Sequence, residues 1–387
     1  MPTSSTQVSA LTSPNLGISL LNHFGSLTDP RQAGKIEHKL IDILVIAICA
    51  IICGADSWVE VAEFGTEREE WLRTRLELPN GIPSHDTFGR IFSRLSAVQF
   101  QKCFRSWVSE VVVVTNGQVI AIDGKTLRRS YDRSSNKAAI HLVSAWATQN
   151  RIVLGQVKTA AKSNEITAIP ELLQLLDLND CIVTIDAMGC QKAIAKQIIE
   201  QGGDYVLGLK GNQGQLHKDV KEFFEEALEN QFKGVNPSYH EESERGHGRV
   251  ETRQIWTVET PAWLADQEKW KNLRVIGMVS ATRKTGTKET VERRFYLSSL
   301  ANEAPKLGAA VRAHWGIENT LHWSLDVVFQ EDRCRVRQGN ASENFAVLRH
   351  LALGLLQREN TVKAGLKTKR LKCALNPDYL LKVLTAK

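Results

Sequence analysis

Hydrophobic positions fall into two regimes along the chain. From residue 16 to 116 they recur at helical spacing. Lys35–Gly54 is a nearly unbroken apolar run without proline, which predicts a buried helix. Ser57–Leu78 alternates charges with Trp58, Val61, Phe64 and Trp71 at helical intervals. A loop over Pro79–Pro83 precedes Ser84–Leu95, SHDTFGRIFSRL, where Ser84 or Asp86 can cap a short helix. That helix would turn Phe88, Ile91, Phe92 and Leu95 inward and Arg90 and Arg94 outward. From Gln118 the pattern becomes strand-like. Gln118–Gly124, Ile140–Ala147, Ile152–Thr159, Cys181–Ala187 and Asp204–Leu209 read as strands, with Thr148–Arg151 as a hairpin turn. Helices are expected at Asn164–Leu178, with Pro170 in its first turn or dividing it, and at Gln191–Gln201.

The order is strand, two-stranded hairpin, helix, strand, helix, strand. It predicts an α/β fold of the RNase H-like kind: a mixed sheet whose first three strands are antiparallel and whose later ones are parallel. Residues 212–300 interrupt the alternation. A helix at Gln215–Asn230 is followed by strands near Arg249–Val258, Leu273–Thr282 and Thr290–Ser298, a β-rich insertion. Helical sequence resumes at Leu307–Trp323 and Ser342–Arg358. The expected organisation is a flexible lead at 1–15, an N-terminal helical domain at 16–116, an α/β domain at 117–358 carrying the insertion, and a basic tail at 359–387.

Composition adds little until charge is followed along the chain. Of 387 residues 42% are hydrophobic and 24% charged, as in ordinary globular proteins, and the formal net charge is +6. Arg333–Lys387 holds 12 basic against 3 acidic residues, a net +9, while Gly211–Asp332 holds 16 against 19, a net −3. A basic tail with a mildly acidic middle suits a polyanion met through particular surfaces, or a solvated face. Seven scattered cysteines without a CxxC pair suggest neither a disulfide framework nor a zinc site, so a reducing cytoplasm is expected. The most apolar run, Leu40–Gly54, is shorter than the roughly 20 residues of a spanning helix. No membrane role is expected.

Asp123 and Asp186 each close a buried β-run and lead into small or polar turn residues. Two acids on nearby strands repel each other and resist joint ionisation, and a divalent cation between them removes both penalties. Mg²⁺ prefers carboxylate oxygens, and two ions roughly 3.5–4 Å apart can drive in-line phosphoryl transfer. A third acid is needed. Glu318 lies in AHWGIENTLHW, where His314, Glu318, His322 and Asp326 follow at intervals of four along one helix stripe. The plainer alternatives are that strand-end Asp residues serve their own turns and that helical Glu is solvated. Zinc through His314, His322 and an acid is open, although the spacing is not HExxH.

The strings AIDGKTLRRS, TIDAMGCQ, LKGNQ and HWGIENTLHWSLDVVFQED resemble the insertion-sequence DDE transposases, specifically the group containing the H-repeat-associated proteins. The likeness extends through DPRQAGKIEHKLIDIL, GIPSHDTFGRIFSRL and NPDYLLKVL, nearly the whole chain. It implies a bacterial enzyme with Asp123, Asp186 and Glu318 as catalytic, metal-holding triad and two Mg²⁺ ions, or Mn²⁺ in their place. The reaction implied is cleavage at transposon ends and 3′-OH strand transfer into target DNA, by a homodimer in the DNA complex. A structure-selective nuclease without joining and a non-catalytic DNA-binding remnant are the rival readings. One departure stands out. Related transposases carry Tyr, Arg and Lys around the Glu where this chain has Val311, His314 and Leu325, so DNA-gripping roles do not transfer to those positions; His314 and His322 are candidate substitutes.

DNA contacts are expected from Lys125, Arg128, Arg129, Arg133 and Lys137 after Asp123, from Lys210 and Asn212, and from His247, Arg249 and Arg253 in RGHGRVETR. Arg90 and Arg94 would read the element's ends. Arg333, Arg335, Arg337, Lys367, Lys369, Arg370 and Lys372 would meet phosphates of any sequence. For each, a solvated surface charge is the bland alternative.

Overall fold

A computed structural model describes residues 22–112, 116–131, 138–159, 165–246 and 248–386. The expected flexible lead at 1–15, Arg133, Lys137 and His247 lie outside the described residues. In chain order the helices are α1 (Leu40–Cys53), α2 (Trp58–Glu67), α3 (Glu69–Arg73), α4 (His85–Arg94) and α5 (Ala97–Val111). Strands β1 (Val119–Leu127), β2 (Ile140–Ala147) and β3 (Ile152–Lys158) lead to α6 (Glu165–Gln174), β4 (Ile182–Ile185), α7 (Lys192–Glu200) and β5 (Asp204–Leu209). Then come α8 (Gln215–Glu229), β6 (Ser238–Gly246), β7 (Arg249–Glu259), β8 (Val275–Thr285), β9 (Lys288–Ser298) and α9 (Ala304–Gly316). After two π-helical turns the chain ends in α10 (Ala341–Arg358), α11 (Leu366–Leu375) and α12 (Pro377–Leu384).

The chain divides into two compact units, residues 1–107 with 334–387, and residues 108–333. The helix at 341–358 therefore belongs with the N-terminal helices, whereas the sequence pattern had assigned it to the α/β domain. In this first unit α1 is buried over Asp42–Ile52. A capping box starts α2: Ser57 Oγ accepts from Glu60 N, and the Glu60 carboxylate accepts from Ser57 N at 3.1 Å. Ser84, not Asp86, caps α4, accepting from Thr87 N at 3.3 Å. Phe88, Ile91 and Phe92 are buried and Arg90 and Arg94 exposed, as the pattern predicts.

The basic tail differs from expectation. It folds into α11 and α12, and Lys369 and Arg370 are buried. Lys369 donates to the Leu356 carbonyl at 3.0 Å and Arg370 to the Ile51 carbonyl at 2.9 Å, with Glu359 and Asp56 as their counter-charges. Lys372 sits over the Tyr379 ring. Charge counting cannot see such partners, so these three residues are structural cations rather than a loose phosphate-binding tail.

The second unit is built on a nine-stranded mixed sheet in the order β3-β2-β1-β4-β5-β9-β8-β7-β6. β1, β2 and β3 pair antiparallel, while β1, β4 and β5 run parallel, as the element order requires. The presumed insertion is continuous with this sheet. β9 pairs antiparallel with β5 through Val206↔Ser298 to Leu209↔Phe295, so β6–β9 extend the sheet instead of forming a separate body. Pro170 falls inside α6, neither in its first turn nor at a break. A core cluster joins Val119, Ile182, Val206, Ile255 and Val279 of the sheet to Leu307, Ala310 and Val311 of α9. This packing fixes α9 on one sheet face and sets where the residues after it emerge.

Candidate active site

The parallel pairing of β1 with β4 decides the site. The last paired residues are Ile122 and Ile185, so Asp123 and Asp186 are the next residues of adjacent strands, about 4.8 Å apart in backbone. β4 stops there, but β1 continues to Leu127 against β2. Asp123 is therefore not a strand end; it stands where its neighbour leaves the sheet and opens a cleft. Gly124 follows because a Cβ there would collide with the Glu165 carboxylate and the His141 ring, which pair at 2.7 Å.

Glu318 arrives from α9, and the helix widens as it does. Ile317–His322 and Ser324–Val328 form π-helical turns, with hydrogen bonds from i to i+5, a feature enriched at functional sites. The straight helix expected over Leu307–Trp323 thus ends at Gly316. Ile317, Leu321 and Leu325 are buried, while Glu318 is exposed and His322 is turned inward at 7% exposure.

Asp123, Asp186, Glu318 and His314 line one cavity of about 350 Å³, together with Lys210, His217, Arg293, Arg294 and Trp315. Ligand atoms of Asp123, Glu318 and His322 all lie within 4.8 Å of one another. His322 Nδ1 is 3.5 Å from both Asp123 Oδ2 and Glu318 Oε2. Burial, and after it the facing Glu318 carboxylate, pushes the Asp123 carboxyl up to about 8. Burial also lowers His314 and His322 below the ordinary imidazole value. Asp186 is turned differently. Its Oδ1 accepts from Met188 N at 2.9 Å and Gly189 N at 3.4 Å, the turn contact that a strand-end Asp commonly makes. The four-residue stripe is split as well: His314 pairs with Thr184 Oγ1 at 3.0 Å, and Asp326 accepts from Lys125.

The basic residues expected on DNA divide into two groups. Lys125 is enclosed by Asp326 at 2.5 Å, Glu331 at 3.3 Å and Asp332 at 3.6 Å. Burial works against its charge, but Glu331, Asp326 and Asp332 outweigh it and hold the ammonium above its ordinary value. Arg253 is enclosed by Glu242, Glu244 and Glu251, with 13% of its side chain exposed. Asn212 donates to the Ala187 carbonyl at 2.7 Å and so braces the Asp186 turn. These three serve the fold. Arg128, Arg129, Lys210, Arg249, Arg90 and Arg94 are exposed, with Arg128 also 3.2 Å from Asp332. Arg90 and Arg94 line a groove of about 510 Å³ with Arg31, Lys35 and His38.

Sequence reasoning missed the cavity wall from β9. The Arg294 guanidinium lies 4.1 Å from the Trp315 ring centroid, and Arg293 lines the same space. The pair in VERRFYL was visible, but its position at the site depends on the β5–β9 pairing.

Residues 115–355 match the family described as "Transposase DDE domain", and residues 21–108 match one described as "DDE_Tnp_1-associated". The chain is 46% identical over 372 residues to "Putative transposase YncI" of Escherichia coli O157:H7, covering 95% of each chain. It is 43% identical over 373 residues to "H repeat-associated putative transposase YhhI" of Escherichia coli (strain K12), covering 94% of this chain and 97% of that one. A cryo-EM structure of a piggyBac transposase synaptic complex with hairpin DNA aligns at TM-score 0.41 and 11% identity, over 95% of this chain and 76% of that one. That last likeness is too weak to assign a fold.

Proposed function

The chain belongs to the DDE-domain transposases, and from that premise we propose that it cuts DNA at the ends of a mobile element and joins the freed 3′-OH to target DNA. The observation that carries this reading is one cavity lined by Asp123, Asp186 and Glu318, brought from two adjacent strands and a helix. We read β1–β5 with α6 and α7 as an RNase H-like core, whose cleft at the strand ends is where such acids act.

The donor set suits a divalent cation: Asp123 and Glu318 face each other across a short gap, and one of them keeps a proton unless a cation enters. Bound there, Mg²⁺ or Mn²⁺, as one ion or two, would activate the attacking oxygen and stabilise the leaving one. Asp123 and Glu318 hold the cation. Asp186 Oδ1 is taken up by the amides of Met188 and Gly189, so Oδ2 is the atom that serves the cavity. Lys210 at the cavity rim, with Arg128, Arg129 and Arg249, would meet DNA phosphates, and Arg90 and Arg94 would contribute to reading the element's ends. The DNA complex would contain two copies of the chain, acting in the cytoplasm.

The test is a Mg²⁺-dependent reaction on duplexes carrying the element's own terminal repeats. Cleavage and joined products from a pre-cut 3′-OH end are expected. Asp123→Asn and Asp186→Asn should abolish both while end binding stays within about threefold, because phosphate contacts dominate affinity. Cutting without joining would make the protein a structure-selective nuclease. Binding with neither product would make it a DNA-binding remnant.

A further inference from the structure

His322 is a buried imidazole with two carboxylates at equal distance and no role in the reading above. Its Nδ1 lies 3.5 Å from Asp123 Oδ2 and 3.5 Å from Glu318 Oε2. A charge-assisted hydrogen bond would draw one of these in to about 2.7–2.9 Å. Two ligands of one cation, each about 2.1 Å from it, are instead separated by about 3.0–3.4 Å. The observed spacing is that of three donors around a common centre rather than of a histidine bonded to either acid.

The fold supplies the reason. The π-helical turn carries both Glu318 and His322, and buried Ile317 and Leu321 hold it against the unit's interior. His322 is itself 7% exposed, so its ring is fixed toward Asp123 by packing rather than left to solvent. A donor nitrogen changes which ion the site takes. Mg²⁺ is satisfied by oxygen ligands and water, whereas imidazole nitrogen favours first-row transition ions.

We propose that His322 is a metal ligand, and that with Asp123 and Glu318 it makes a site selecting a transition dication such as Mn²⁺ over Mg²⁺. The inference rests on the reading of Asp123 and Glu318 as cation-holding carboxylates. The aromatic and basic wall of the cavity plays no part in it.

The experiment is Mn²⁺ binding to the full-length protein without DNA, followed by electron paramagnetic resonance, with Mg²⁺ as competitor. Pulsed measurements should detect ¹⁴N coupling to the bound Mn²⁺, and Mn²⁺ should bind at least about tenfold more tightly than Mg²⁺. His322→Ala should abolish the coupling and weaken Mn²⁺ by about tenfold, leaving Mg²⁺ affinity within about threefold. His322→Gln, which keeps a polar side chain of similar reach, should behave alike. Mn²⁺ that depends on Asp123 yet shows no ¹⁴N coupling, or unchanged Mn²⁺ affinity in both His322 variants, would overturn the inference and leave the carboxylate reading intact. Mn²⁺ affinity unaltered by Asp123→Asn would overturn the carboxylate reading and this inference with it.

Discussion

Asp123→Asn should stabilise the metal-free protein, and by an amount that grows with pH. Burial and the opposing Glu318 move the Asp123 carboxyl from its ordinary 3.8 to about 8. Below pH 3.8 native and unfolded chains both hold the proton, so the residue costs nothing. Between 3.8 and 8 the unfolded chain has released it and the native one has not. Native stability then falls with each pH unit and levels off above about 8. At about 1.36 kcal/mol per unit the ceiling is roughly 5–6 kcal/mol. Glu318, 57% exposed, can swing into water when both acids ionise, and that relaxation brings the expected effect to about 1–3 kcal/mol. For a unit of this size that is a rise in Tm of roughly 2–12 °C at pH 8. Thermal melts of wild type and Asp123→Asn in chelator should show a small gap at pH 5 that widens to pH 8. Mn²⁺ or Mg²⁺ should then narrow it, because only the native wild-type site binds the ion. A gap that is constant from pH 5 to 8, or a variant less stable than wild type at pH 8, would refute the account of Asp123 as a carboxyl strained by its neighbour.

Lys125→Met leaves buried Glu331 without its counter-charge and should cost about 3 kcal/mol in urea unfolding, while the salt dependence of DNA binding stays as in wild type. Arg249→Ala should flatten the slope of DNA affinity against salt by roughly one unit, measured by anisotropy titrations at several ionic strengths. Arg253→Ala, whose partner acids already occupy it, should leave that slope unchanged and lower Tm instead. Arg90→Ala with Arg94→Ala should reduce the preference for element ends over random duplex about tenfold; equal loss on both DNAs would make the groove of unit one a general phosphate contact.

The strand-hairpin-helix-strand order and both aspartates could be read from sequence because β1, β4 and β5 are buried runs bounded by polar turns. β6 could not. Its residues, SYHEESERG, are polar on both faces of an edge strand, so no apolar alternation marks it. The union of β9 with β5 joins residues about ninety apart in sequence, and no local pattern encodes that pairing. The same limit hid the partners of Lys125, Lys369 and Arg370. Their charges suggested DNA, and only tertiary neighbours reveal that acids had already claimed them. His322 was visible as one member of a four-residue stripe. Periodicity could not separate it from His314, which the fold gives to Thr184.

The widened turns after Gly316 set a rule for how this segment can change over generations. A π-helical turn is an α-helical turn carrying one residue more, so its register depends on length as well as on side-chain identity. Substitutions at Asn319 or Thr320 keep Glu318 and His322 on their present bearing toward Asp123. Loss of either residue lets the backbone relax to ordinary helix and turns His322 and everything after it by about a quarter turn or more. Copies of this element can therefore drift in composition here, but a single-codon deletion between Glu318 and His322 silences them.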